Sequence, residues 1–99
     1  MKILKTQRER TQIRIRHAFG KVLREYRDKS GMTQEGLGDE SEYHWTYISQ
    51  LERGIRQPSI STLFILAKKL GVKPEEMIKA VGKKLISQKR VPLKKKSRK

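Results

Sequence analysis

The 99-residue sequence contains no cysteine. Disulfides, thiolate zinc sites and thiol nucleophiles are excluded together, and the composition fits a reducing compartment. Histidine is scarce as well: His17 and His44 lie far apart with no ligand-like cluster around either, so no metal site is expected. The longest apolar run, Leu63-Phe64-Ile65-Leu66-Ala67, falls far short of the ~20 residues that a membrane span needs. Met1-Lys2-Ile3-Leu4-Lys5 gives way to Arg- and Gln-rich sequence without the apolar segment of a signal peptide. Gly-rich phosphate loops are missing, and the acid pairs Asp39/Glu40 and Glu75/Glu76 fall at the ends of expected helices. No catalysis, cofactor or membrane partner is expected, and a soluble, intracellular protein is.

Acidic residues are few too: 10 against 25 Lys+Arg, a net charge of +15. The excess is unevenly spread. Residues 1–16 carry +5, residues 82–99 carry +9, and the stretch between them carries +1. The expected organisation is a basic, partly helical N-terminal arm at 1–16, one module at 17–82, and a basic disordered tail at 83–99. Cationic arms around a near-neutral module point to a polyanion, nucleic acid above all. With 34% hydrophobic and 35% charged residues, the core must be small.

The apolar periodicity is helical throughout, which predicts an all-α fold of five helices. Ile15, Phe19, Val22, Leu23 and Tyr26 make one stripe over about 14–29, closed at Gly31. Thr33 opens a short second helix, with Met32 and Leu37 placed as a hydrophobic staple. A third runs over about 45–52 and stops at Gly54. Ser59 caps a fourth, whose expected buried stripe is Ile60, Leu63, Phe64, Ala67 and Leu70. Pro74 opens a fifth, with Met77, Ile78 and Val81 as its apolar face and Gly82 as its end.

The second and third helices carry the functional signal. On a helical wheel Leu51 and His44 fall on the side of Ile48, whereas Thr46, Ser49, Gln50 and Arg53 form a polar face. Two short helices joined by a tight connection over about 33–53, the second polar on its outer side, make a helix-turn-helix. Such a helix fits the major groove, where Thr and Gln side chains read base edges.

From Phe19 to Ile78 the sequence resembles the lambda-repressor/Cro-like (XRE) helix-turn-helix family. The resemblance rests on Leu23-Arg24-x-x-Arg27, Gly31-Met32-Thr33-Gln34-Glu35-x-Leu37, Tyr47-Ile48-Ser49-Gln50-Leu51-Glu52-Arg53-Gly54, and Pro58-Ser59 followed by Thr62-Leu63, Ala67 and Leu70-Gly71-Val72. Within the family it is most similar to small stand-alone regulators such as restriction–modification controller proteins. The resemblance implies a transcriptional regulator bound to a palindromic duplex operator as a homodimer, in a cytoplasmic, bacterial-type, nucleoid-associated setting. It implies Gln34, Arg53 and Arg56 at phosphates, and Trp45, Thr46 and Gln50 at bases. Ser49 and His44 complete the expected DNA-facing set, and Arg27 and Glu52 are the expected structural ion pair. Four positions depart from the family pattern: Gly38 replaces a small residue with Cβ, Glu42 stands where Gly is usual, His44 stands at a Ser/Thr cap, and Trp45 is large for a base-reading position, with sugar and phosphate as its alternative contact. Ile65, Leu66, Met77 and Ile78 are the candidate dimer seam. Two rival readings are an antitoxin-type module whose protein partner is a toxin, and a basic structural RNA-binding protein.

Overall fold

A computed structural model describes residues 5–89, which form five helices: α1 Gln7–Ser30, α2 Gln34–Ser41, α3 Trp45–Glu52, α4 Ile60–Leu70 and α5 Pro74–Lys89. The fold is all-α, as the periodicity predicts. Residues 1–4 and 90–99 lie outside the described residues, and with them the last part of the tail expected at 83–99.

Both outer helices are longer than the sequence reading has them. The first starts at Gln7 rather than near residue 14, because Thr6 and Glu9 form a reciprocal capping box in which each side chain bonds the other's backbone N–H. The last runs through Gly82 to Lys89, so residues 83–89, expected as disordered tail, are helical. A Cβ on Gly82 would meet nothing within 4 Å, so nothing local demands a break there. Lys84 Nζ donates to Glu25 Oε2 at 2.5 Å and ties this extension to α1.

Phe19, Val22, Leu23, Leu37, Ile48, Leu51, Leu66 and Met77 are fully buried and join all five helices in one cluster. Each such side chain contributes about 1.5–3 kcal/mol of hydrophobic stabilisation, except that Val lies at the low end. The buried face of α4 is Thr62, Leu63, Leu66, Ala67 and Leu70, so Ile60 and Phe64 point outward, at 68% and 52% exposure, against the expected stripe. Likewise Leu66 and Met77 are interior and cannot belong to a dimer seam, whereas Ile65 and Ile78 are exposed.

Gly20 sets how closely α1 crosses α3. A Cβ there would lie 2.5 Å from the carbonyl oxygens of both Leu51 and Glu52. The helices touch through backbone, which only glycine permits. Immediately beyond, Arg16 Nε donates to Gly54 O at 3.1 Å, and the His17 ring lies over Gly54, whose φ is +76°. His17, exposed to solvent, therefore also lies against the end of α3.

Candidate nucleic-acid interface

The tight turn between α2 and α3 fixes the candidate interface. Thr33 caps α2 by accepting from Gly36 N at 2.9 Å. At the other end Glu42 adopts φ 64°, ψ 28°, the left-handed region in which side chains with Cβ are strained. Tyr43 N then donates to Gly38 O at 3.0 Å, closing the turn. A Cβ on Gly38 would stand 2.7 Å from Tyr43 O, so this departure from the family pattern matches the turn's close approach.

His44 is the N-cap of α3, and its Nδ1 accepts from Thr46 N at 3.1 Å. It is exposed rather than inward. An imidazole that accepts at Nδ1 presents Nε2–H outward as a donor. Trp45, 46% exposed, stacks on His44 with ring centroids 5.9 Å apart. Thr46 and Arg53 are exposed, and Ser49 and Gln50 are half-buried. Arg56 lies with its guanidinium 5.3 Å from the Tyr47 ring centroid while Nη1 donates to Gln50 Oε1 at 3.3 Å. His44, Trp45, Thr46, Ser49, Gln50, Arg53 and Arg56 thus gather on and just beyond one short helix.

One buried hydroxyl ties this helix to the next. Thr62 Oγ1 lies 3.0 Å from Tyr43 Oη in the turn, 3.4 Å from Tyr47 Oη on α3, and 3.1 Å from the Ser59 Oγ that caps α4. The sequence reading has Thr62 only as part of the family resemblance; its link to the two tyrosines was not legible, because they lie 19 and 15 positions away in the chain.

Residues 23–77 match the family described as Helix-turn-helix (HTH_3). The chain is 43% identical over 65 residues to control protein C.BamHI of Bacillus amyloliquefaciens, spanning 65% of this chain and 80% of that one. Its fold is similar to the restriction-modification controller protein C.AhdI from Aeromonas hydrophila (TM-score 0.61, 35% identity, 63% of this chain and 94% of that one). It is also similar to the clp gene regulator ClgR from Corynebacterium glutamicum (TM-score 0.73, 28% identity, 76% and 80%). The chain belongs to the helix-turn-helix family.

In this helix-turn-helix protein a buried charge network ties together the elements that would meet a ligand. Arg27 Nε and Nη2 donate to Glu52 Oε2 and Oε1 at 2.5 and 3.0 Å, a two-pronged pairing of α1 with α3. Arg27 Nη1 donates to Met32 O at 2.8 Å, just before α2. Gln34 Nε2, at the first position of α2, donates to Glu52 Oε1 at 3.0 Å. Both partners of the pair are buried, with side chains 10% and 4% exposed. The hydrogen bond to Glu52 raises the Arg27 pKa above its ordinary value, while burial pulls the other way. The guanidinium therefore stays charged at any pH at which the domain is folded. Gln34 is not solely an outward residue: one amide hydrogen is engaged with Glu52, and the second is left for another acceptor. Among the described residues no group of three or more His, Asp and Glu gathers in a metal-like cluster, and no helix is long and apolar enough to cross a membrane.

Proposed function

We infer that this protein is a transcriptional regulator that binds duplex DNA in a sequence-specific way, with α3 in the major groove. The single observation that carries the reading is the exposed polar face of α3, delivered by a tight turn and joined to the start of α2 through Glu52 and Gln34. An α-helix with its side chains is about 10–12 Å across, which fits the groove's width of about 12 Å.

The roles follow from the chemistry of each group. Gln50 holds paired amide donor and acceptor atoms, the match for the edge of adenine, and Thr46 adds a hydroxyl and a methyl that suits thymine. Arg56 occupies Gln50 Oε1 in the free protein; on DNA it moves to a phosphate and frees the amide to read. Gln34, with its spare amide hydrogen and the unpaired N–H groups of the α2 terminus, holds a phosphate, as does Arg53. Trp45, His44 and Ser49 flank the readers against sugar and phosphate. Binding and positioning are the whole task; no bond-making step is assigned.

One such helix reads few base pairs, so the operator is a palindrome read by a homodimer. The seam is the exposed apolar surface of Phe64 and Ile65 beside Val72 and Pro74. The resemblance to proteins named as controllers and regulators supports this reading over a toxin partner or a structural RNA. A cytoplasmic protein associated with the chromosome is part of the same proposal. Selection of bound sequences from random duplex DNA tests it, with two chains per enriched site by sedimentation. Gln50→Ala should then cost about 1–3 kcal/mol on the enriched site and relax one base position. No enrichment, or equal weakening on every sequence, would remove Gln50 as a reader.

A further inference from the structure

The basic N-terminal segment and the near-neutral module meet within α1, which spans Gln7–Ser30, and together they give it a one-sided surface. Arg10, Arg14, His17, Lys21 and Arg24 follow one another in steps of four and three along an unbroken helix, which puts them on one face. Arg14 is half-buried and the other four are exposed. Of the acids of α1, only Asp28 meets the stripe, at Arg24. Glu9 bonds the backbone of Thr6, Glu25 pairs with Lys84, and Asp28 pairs with Arg24 and Arg27. Among the described residues, Arg10, Arg14 and Lys21 make no ion pair. The stripe is about 21 Å long, roughly the rise of six base pairs.

Its placement is rigid. Gly20 presses α1 against the end of α3, Arg16 holds Gly54 O, and the His17 ring covers Gly54. The stripe therefore sits in fixed register with the recognition helix, next to the loop that carries Arg53 and Arg56.

We propose that this face of α1 is a second phosphate-binding edge, which holds the backbone of the same duplex outside the groove read by α3. The proposal rests on the DNA-binding reading above, and deepens it by adding an element outside the helix-turn-helix.

The test uses the full chain on its enriched site and on a scrambled duplex across a salt series, with hydroxyl-radical footprints. The pair Arg10→Gln/Arg14→Gln keeps good helix formers in place, and a melting curve confirms the fold. The slope of log affinity against log salt should fall by roughly 1.8, and affinity near 0.15 M salt by about thirtyfold, with flanking protection lost and the preference for the enriched site kept. Arg10→Lys/Arg14→Lys should restore both. Lys69→Gln/Lys79→Gln removes equal charge from α4 and α5 and should change far less. A wild-type slope and footprint in the Gln pair, or an equal loss in the Lys69/Lys79 pair, overturns the stripe. Absence of any site preference in the wild-type chain would instead sink the sequence-specific reading, because the slope comparison can still be made on scrambled DNA.

Discussion

Replacing Arg27 with Ala tests the physical reasoning behind the interface most directly. The substitution removes three donors at once: two to Glu52 and one to the carbonyl of Met32. Glu52 stays buried with Gln34 Nε2 as its remaining side-chain donor. Stranding a buried carboxylate costs about 3–5 kcal/mol, and the orphaned carbonyl adds about 1 kcal/mol. A domain of this size holds about 4–13 kcal/mol in total, so the loss is a large share of its stability. At roughly 4–8 °C per kcal/mol, the melting temperature should fall by at least about 15 °C, or the chain should fail to fold at ambient temperature. Circular dichroism melts read the change. Glu52→Ala added to Arg27→Ala removes the stranded charge, so the double variant should be more stable than the single one. Arg27→Lys should lie between wild type and Ala, because it keeps the charge and loses the two-pronged geometry. A melting temperature within 3 °C of wild type for Arg27→Ala, or a double variant less stable than the single, would refute the stranded-charge argument.

Two further predictions concern backbone. Gly20→Ala puts a methyl 2.5 Å from two backbone carbonyl oxygens, so it should cost about 1–3 kcal/mol or more in chemical denaturation despite the better helix propensity of alanine; a stabilised variant would show that α1 can back away from α3 freely. Glu42→Gly relieves the left-handed strain at φ 64°, offset in part by a looser unfolded chain, and should raise stability by about 0.5–1 kcal/mol; a loss measured by the same denaturation would mean that the Glu42 side chain makes a compensating contact.

Much of the architecture was legible because helix starts are local chemistry. Thr33, Ser59 and Pro74 mark their helices within a residue or two, and each is where the sequence reading has it. The longer ends of α1 and α5 were not legible from apolar periodicity. The capping box at Thr6 precedes a polar first turn, and the Lys84–Glu25 pair joins residues 59 positions apart. On α4, the expected stripe with Ile60 and Phe64 and the observed one with Thr62 and Leu66 share Leu63, Ala67 and Leu70, and both satisfy helical spacing. Which set turns inward is decided by the helices packed against it. The polar face of α3 could be read directly, but Gln34's bond to Glu52 and Arg56's hold on Gln50 could not, since both depend on side chains meeting across turns. The α1–α3 contact was legible in the expected Arg27–Glu52 pair, whereas Gly20, a lone glycine inside an apolar stripe, was not read as part of it.

The hydroxyl of Thr62 has one proton to give and two lone pairs to receive, and three hydroxyl oxygens lie within 3.4 Å of it. Its valence is therefore filled by protein alone. The turn, the recognition helix and the cap of α4 each take their position from this single oxygen, as three lines are drawn from one origin. Serine at 62 would keep that origin. Valine would keep the shape and erase it, leaving two tyrosines and a serine each to find its own partner and the angle between α3 and α4 without a common reference.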